Sequence, residues 1–561
     1  WSLTFTFPSG QTITQGWVGK FSQSGSRVTV TNEAWNGSLG SGQSTSPGFI
    51  GNWNGSNAAP TDFAVNGTAC NGGGGQSTTT TTTTTTTRTT PTTTTTRTTP
   101  TTTTTTTRTT PTTTTTTRTT PTTTTRTTTT SGGGGNEGSH VDNPYASVKM
   151  YVNPEWSAKA AAEPGGSRVA NQPTAVWLDR IAAIEGTTES SSNGAMGLRD
   201  HLDEALAQGA GAIQIVIYDL PGRDCAALAS NGELGPTEID RYKSEYIDPI
   251  AAIQGDAKYN SLRIINIIEI DSLPNLITNA GGTAGSTDAC ATMKANGNYV
   301  NGIAYALGTL RNVGGNNIYN YVDAAHHGWI GWDTNFNPSS QLFASTADKA
   351  TGTVSGKATV DGFIVNTANY SALQEPYFTI NTTVGGQSVR QSKWVDWNFY
   401  VDELSFAQAF RQRLVSDGFA SNIGMLIDTS RNGWGGSARP TGPSTSTVMD
   451  TFVNESRIDR RIHAGNWCNQ SGAGMGERPK AAPASGIDAY VWVKPPGESD
   501  GSSSLIPNDE GKGFDQMCDP SYGGNARNGN SSTGALDGAP ISGAWFSAQF
   551  RELMANAYPA L

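Results

Sequence analysis

Charged side chains follow most of the apolar segments in residues 141–561 of this chain. Six segment ends carry them, and they are Asp179, Asp219 with Asp224, Glu269 with Asp271, Asp323, Asp428 with Arg431, and Lys494 with Glu498 and Asp500. A single Asp there could be a helix N-cap, but six such ends together favour a shared site. Crowded carboxylates raise the pKa of one member, which leaves a protonated acid beside an ionised partner. The residue types therefore indicate general acid–base chemistry.

The elements that must position these residues are seven short apolar segments that alternate with amphipathic stretches such as 198–209 and 301–311. The segments are Thr174–Trp177, Ile213–Asp219, Arg263–Ile270, Asn317–Asp323, Gly362–Asn366, Ile423–Asp428 and Ala489–Lys494. This alternation predicts an α/β fold of βαβ units with a parallel sheet. Seven strands rather than eight predict a distorted, incompletely closed β/α barrel. In such a barrel the site lies at the carboxyl ends of the strands.

Two other chemistries fit the sequence poorly. The five histidines include no HExxH motif, and no Cys/His spacing suits zinc, so we expect neither a metal nor a cofactor. Residues 497–501 match G-x-S-x-G, but loop residues follow and every histidine precedes Ser499. A nucleophile elbow needs a helix after its serine and a later histidine. We therefore do not interpret this match as a hydrolase elbow.

Tryptophans lie beside the strand-end polar residues rather than in apolar runs. They are Trp177, Trp329, Trp332 and Trp467. Flat rings in a polar cleft suit the apolar faces of pyranose sugars, although packing in the core is the alternative for each of them.

Residues 1–70 have strand alternation, few charges and no helical pattern, which predicts a small all-β sandwich. Trp17 and Trp35 stand in polar, turn-rich surroundings and suggest a flat face for a neutral crystalline polysaccharide. A Thr-rich stretch with four Arg-Thr-Thr-Pro repeats follows and predicts a disordered, extended linker. We place the module at 1–72, the linker at 73–138 and the large domain at 139–561. The chain opens in a strand pattern, so we expect the module to be N-terminally incomplete.

Charge and cysteine usage restrict the partners. The formal charge is −10, and the five linker arginines make the folded parts more acidic still, which argues against a nucleic-acid partner. No apolar run reaches the ~18–20 residues of a membrane span. Five cysteines beside a Thr-rich stalk indicate a secreted, extracellular protein with disulfides.

Five blocks, in order along 141–561, resemble glycoside hydrolase family 6, the cellulases. They are Tyr218–Glu233, Ile268–Ser272, Asp323–Trp332, Trp467–Asn469 and Trp492–Gly501. Residues 1–70 resemble a family 2 carbohydrate-binding module, and the whole arrangement resembles secreted actinobacterial exocellulases.

The resemblance implies catalytic roles for five residues and inversion at the anomeric carbon. Asp271 would protonate the leaving oxygen. Asp224 would keep Asp271 protonated and would position water with Ser230, while Tyr218 would distort the sugar ring. The base is either Asp224 acting through water or Asp500 acting directly.

The resemblance also implies sugar ligands and disulfides. The substrate-binding residues are Trp177, Asp179, Asp323, His326, Trp329, Trp332, Asn369, Arg431, Trp467, Lys494 and Glu498, with Trp17 and Trp35 in the module. Among them, Arg431 and Lys494 would bind carboxylates or sugar hydroxyls, and Asp323 would order the groups around the site. The implied disulfides are Cys225–Cys290 and Cys468–Cys518, and a partner for Cys70 would belong to the missing part of the module.

Two long segments, 374–397 and 431–467, are expected to roof the cleft into a tunnel, since loops of this length usually have a function. A tunnel predicts an exo-acting cellulase, a monomer that releases cellobiose from chain ends, and the resemblance suggests the non-reducing end. The alternatives are an endo-β-1,4-glucanase with an open groove and a non-catalytic cellulose-binding or adhesion protein.

Overall fold

A computed structural model describes residues 1–17, 19–32, 37–38, 45, 47–54, 57–70, 140–282 and 285–561. The chain divides into two compact units, at 1–126 and 127–561. Among the described residues, no helix is long and apolar enough to cross a membrane.

The N-terminal unit contains two antiparallel sheets. Its strands are β1 (Ser2–Thr6), β2 (Thr12–Trp17), β3 (Lys20–Ser24), β4 (Arg27–Thr31), β5 (Gly48–Asn52), β6 (Ala64–Val65) and β7 (Thr68–Ala69). One sheet has the order β3-β4-β1-β6-β7, and the other pairs β2 with β5. Phe5 of β1 and Phe7, just after β1, contact Phe49 of the second sheet, with ring centroids 6.0 and 5.6 Å apart. The all-β sandwich prediction is confirmed.

The C-terminal unit is built on a curled, mostly parallel sheet. Its strands are β8 (Val176–Leu178), β9 (Ala212–Ile217), β10 (Arg263–Ile268), β11 (Ile318–Asp323), β12 (Gly362–Val365), β15 (Gly424–Asp428), β16 (Lys480–Ala484) and β17 (Ile487–Val491), and a hairpin of β13 (Thr383–Val384) and β14 (Gln387–Ser388) lies outside it. The seven strands β8, β9, β10, β11, β12, β15 and β17 pair in parallel in that order. A single parallel bridge between Thr174 and Trp492 joins the first strand region to the last. The seven-stranded distorted barrel is therefore confirmed.

Helices surround this sheet. They are α1 (Pro154–Ala162), α2 (Ala182–Glu185), α3 (Leu198–Ala207), α4 (Ile239–Arg241), α5 (Asp248–Gln254), α6 (Leu273–Thr278), α7 (Asp288–Asn296), α8 (Asn298–Arg311), α9 (His327–Ile330), α10 (Asp333–Ala347), α11 (Glu403–Ser416), α12 (Met449–Ser456) and α13 (Ser547–Ala555). A π-helical turn at Tyr242–Ile247 lies between α4 and α5.

Strand alternation places the core on both faces of the sheet. In β9, Ile213 and Ile215 pack outward against the helices, whereas Ala212 and Val216 point into the barrel, and all four are buried. Strands buried on both faces read as continuous apolar runs, which is why the sequence revealed them. The barrel interior is thus filled by side chains, and polar groups are left to the strand ends.

Each of the seven strands differs from its predicted segment by one to three residues at an end, and two of these differences have a local cause. The third strand ends at Ile268 because Glu269 turns into the left-handed region with φ of 49°. The last strand ends at Val491 rather than Lys494, since the Lys494 N–H donates to Asp428 Oδ2 at 3.0 Å. The edge strand β16 was not predicted, and it carries a proline, as edge strands can.

Candidate active site

A cavity of about 450 Å³ is lined by residues that follow the carboxyl ends of the barrel strands. It brings together most of the residues that the sequence singled out. They are Tyr218, Asp224, Ser230, Asp271 and Asp500, together with Trp177, His326, Trp329, Trp332, Asn369, Trp467 and Lys494. The cavity therefore combines carboxylates with four tryptophan rings.

Asp224 accepts two hydrogen bonds at one oxygen. The hydroxyls of Tyr218 and Ser230 both donate to Asp224 Oδ2. The Tyr218 ring meets Trp177 edge to face, with centroids 5.5 Å apart. Burial raises the pKa of Asp224 to about 6, although the two hydroxyl bonds oppose the rise. Asp224 is therefore held in one orientation and can be ionised near neutral pH.

Asp271 is an acid whose environment favours the protonated form. Burial raises its pKa well above the usual range, and the neighbouring charges of Asp224, Asp323 and Asp500 raise it further. Its backbone N–H donates to Asp323 Oδ2 at 3.1 Å, which ties the residue to the end of the next strand. A protonated Asp271 beside an ionisable Asp224 is the arrangement required for proton donation to a leaving group.

Asp500 is fixed by three donors. The Arg431 guanidinium donates through Nη1 to both carboxylate oxygens at 2.8 and 2.9 Å. The Tyr370 hydroxyl and the Asn469 N–H donate to Oδ2 at 2.7 and 2.8 Å. These contacts occupy both oxygens of Asp500.

Four predicted sugar ligands are absent from the cavity lining. Asp179 forms an ion pair with Lys512, Asp323 accepts the Asp271 N–H, and Arg431 is fully buried on Asp500. Glu498 is partly buried, and burial raises its pKa to about 7. Because buried charged groups need partners inside the protein, Asp179, Asp323 and Arg431 position the cavity wall instead of lining the cavity.

The backbone at the strand ends is unusual. Five non-glycine residues there have φ between 49° and 55°. They are Asp224, Glu269, Asp271, Ala325 and Ala368. Left-handed backbone costs of order 1–3 kcal/mol per residue and clusters at functional sites. Sequence patterns carry no signal for it, so this feature was missed.

Arg223 is a further residue that the sequence reasoning missed. Its guanidinium lies 4.1 Å from the centroid of the Tyr218 ring. It donates to the backbone carbonyls of Asp179 at 2.6 Å, Ser230 at 2.9 Å and Asn231 at 3.0 Å. It therefore fixes the loop that carries Ser230. The available signal was an arginine directly before Asp224 within the family-like block.

The two predicted roof segments pack against each other. Phe378 and Val389 of the first share an apolar cluster with Phe452 of the second. The second also supplies Ala464 and Trp467 to the cavity lining.

A third segment, 513–533, was not predicted and connects both sides of the cavity. Arg527 donates to the carbonyl of Ala226 at 2.5 Å on one side. On the other side Asn528 donates to Asn466 at 2.9 Å, and Asn466 donates to the carbonyl of Ser532 at 2.9 Å. Met517, Asn525 and Arg527 also line the cavity.

The disulfides are those that the resemblance implied. Cys225 is bonded to Cys290 and Cys468 to Cys518. The second bond packs against Ala229, beside Ser230. It therefore supports the loop that carries Ser230, which we call the catalytic loop. Cys70 is exposed and unpaired within the described part of the chain.

The described residues do not include every predicted ligand. Trp35 and the side chain of Trp17 lie outside the described residues. Within residues 140–282, 285–561 and the described parts of the module, no group of three or more His, Cys, Asp or Glu side chains could hold a metal ion.

A parallel barrel whose strand ends present paired carboxylates in an aromatic cavity is suited to glycoside hydrolysis. Residues 136–557 match the family model of glycosyl hydrolases family 6, and the chain belongs to this family. Residues 1–70 match the model of the cellulose binding domain.

Known relatives and a solved structure agree with this assignment. Exoglucanase A of Cellulomonas fimi is 48% identical over 445 residues, which cover 75% of this chain and 49% of that protein. This chain thus spans about half the length of that relative. A probable 1,4-beta-D-glucan cellobiohydrolase C of Aspergillus niger is 33% identical over 74% of this chain and 78% of that protein. The catalytic domain of Cellulomonas fimi Cel6B superposes with a TM-score of 0.71 at 48% identity, covering 75% of this chain and 97% of that one.

Proposed function

We propose that this protein is an inverting exo-acting cellulase that releases cellobiose from cellulose chain ends. The observation that carries the proposal is the pairing of Asp271, whose pKa is raised well above the usual range, with Asp224 in a tryptophan-lined cavity. Membership of family 6 and the names of the two relatives support it.

The proposed reaction is a single displacement. Asp271 donates its proton to the glycosidic oxygen as the bond to the anomeric carbon breaks. A water molecule attacks that carbon from the opposite face, so the configuration inverts. Tyr218 and Trp177 hold the sugar that carries the reacting carbon, and the Asp224 charge stabilises the developing oxocarbenium ion.

We assign the base to Asp224 acting through a water rather than to Asp500. Both oxygens of Asp500 are already occupied by Arg431, Tyr370 and Asn469. The two hydroxyl bonds of Asp224 go to the same oxygen, Oδ2. Asp224 Oδ1 then accepts the proton of the attacking water through one intervening water.

Exo action rests on the segments around the cavity. Hydrogen bonds from Arg527 on one side and Asn528 on the other connect segment 513–533 to both walls. A covered cavity admits a single chain end and excludes the middle of a chain, which makes it a tunnel. We also propose that the enzyme acts from the non-reducing end and that it is a secreted monomer.

The proposed domains are a 1–72 module, a 73–138 linker and a 139–561 catalytic domain. The module would bind cellulose through Trp17 and Trp35.

The test is to separate the soluble products from crystalline cellulose and from carboxymethyl cellulose while following the viscosity of the latter. The proposal predicts cellobiose almost alone and a slow fall in viscosity. A spread of oligosaccharides with rapid thinning would replace it with an endo-β-1,4-glucanase. Binding without any product would replace it with a non-catalytic cellulose-binding protein.

Inversion has its own test. Proton NMR of the first products should show the α-anomer before mutarotation adds the β-anomer. An initial β-anomer would contradict a single displacement.

A further inference from the structure

In the C-terminal unit, a tryptophan ring beside the cavity is exposed. Trp397 has 55% of its surface accessible to solvent. Its φ is 63° and that of the preceding Asp396 is 46°. Left-handed backbone is a marked departure for a bulky side chain, so the fold holds this ring outward in a conformation that the residue does not favour.

Hydrogen bonds hold the backbone at Trp397 in place. Arg390 Nη2 donates to the Trp397 carbonyl at 2.6 Å, and Arg390 Nε donates to the Asn398 carbonyl at 3.0 Å. The Trp397 N–H in turn donates to the Arg390 carbonyl at 2.6 Å. The Arg390 guanidinium also stacks 3.7 Å from the centroid of the Phe399 ring. An exposed aromatic ring on a fixed backbone is suited to binding a flat ligand.

The segment around Trp397 is joined directly to the cavity. Trp332, which lines the cavity, donates its Nε1–H to the Asp396 carbonyl at 2.7 Å. Asn398 donates to the carbonyl of His327, in the helix just before Trp332, at 2.8 Å. Trp397 is therefore the residue after Asp396, which is bonded to the cavity-lining Trp332, and Trp397 itself lies outside the cavity lining.

We propose, resting on the function proposed above, that Trp397 is an additional sugar-stacking platform that receives the glucan chain outside the cavity, beyond Trp332. The ligand is a neutral β-linked glucan, because its pyranose rings present apolar faces that stack on indole. Only a chain long enough to run past the cavity reaches this ring.

The test compares Trp397→Gly with the unaltered protein on cellotetraose and on amorphous cellulose. Glycine accepts the left-handed backbone, so thermal stability should stay unchanged or rise. The rate on amorphous cellulose should fall about fivefold, the loss expected for one aromatic stacking contact, while kcat/KM on cellotetraose stays within about twofold.

Tyr558→Ala is the matched control. Tyr558 is also exposed, at 50%, and its ring faces an arginine, with Arg439 3.5 Å from its centroid, as Arg390 lies 6.0 Å from the Trp397 centroid. Tyr558, however, lies near the end of the chain. The control should leave both rates unchanged.

Three results would overturn the inference. They are an unchanged rate of Trp397→Gly on amorphous cellulose, a parallel loss on both substrates, and a fall in its thermal stability. If the unaltered protein cleaves neither substrate, the proposed function fails and the platform fails with it.

Discussion

The ion pair between Arg431 and Asp500 gives a quantitative test of how the cavity is built. Arg431 is fully buried, and its Nη1 bonds to both oxygens of Asp500 at 2.8 and 2.9 Å. Arg431→Met keeps most of the stem and removes the charge. Asp500 is then a buried carboxylate without its cationic partner.

Breaking a buried ion pair from one side costs about 3–5 kcal/mol, because the remaining charge is uncompensated. We expect a loss of this size in the free energy of unfolding of Arg431→Met. Activity on cello-oligosaccharides should fall as well, since the pair fixes Asp500 at the cavity wall. Adding Asp500→Asn removes the stranded charge, so the double variant should regain most of the stability without regaining activity.

The assay is thermal and denaturant unfolding, with Arg413→Met as the matched control. Arg413 also makes a two-point contact with a carboxylate, Asp417, at 2.9 and 3.0 Å, but its side chain is 29% exposed. Solvent screening should keep the control loss below about 1 kcal/mol. Equal losses for the two arginine variants, or no recovery in the double variant, would refute the argument.

Three further predictions follow from the same site. Asp323→Asn keeps an oxygen for the Asp271 N–H but removes a charge that raises the Asp271 pKa. The pKa of this acid should fall, and the alkaline limb of the pH profile of kcat/KM should move to lower pH; an unmoved limb contradicts this. Replacing Cys468 and Cys518 by serine opens a loop of 50 residues. The free energy of unfolding should fall by roughly 4 kcal/mol. A loss under about 1 kcal/mol would contradict the loop-entropy account. Arg527→Ala should loosen the segment over the cavity and raise the ratio of viscosity loss to cellobiose release from carboxymethyl cellulose, whereas an unchanged ratio would show that this segment does not restrict chain access.

Most of the fold could be predicted from the sequence because the barrel strands are buried on both faces. Apolar runs such as Arg263–Ile268 in β10 can be recognised in the sequence without knowing which strands they pair with. The edge strand Lys480–Ala484 lacks that signal, since it is mostly exposed and carries a proline. The exact last residue of a strand was predicted less accurately than the strand itself, because backbone turns such as that at Glu269 depend on neighbouring strands.

The site was predicted less completely, and the reason is the distance along the chain between partners. Asp179 lies at a strand end as expected, but Lys512, 333 residues later, takes up its carboxylate. Segment 513–533 shows no periodicity, and its contact with the catalytic loop joins Asp515 to Leu228, 287 residues apart. Sequence spacing locates the strand ends, but it does not decide which side chains face the cavity.

The central claim is that Asp271 supplies the proton to the leaving group, and the most direct test compares two leaving groups in Asp271→Ala. The account predicts that hydrolysis of cello-oligosaccharides is almost abolished while binding is retained. Glycosyl fluorides or activated aryl glycosides, whose leaving groups need little protonation, should still be cleaved at a substantial rate. Equal loss on both classes of substrate would contradict the assignment of Asp271 as the acid.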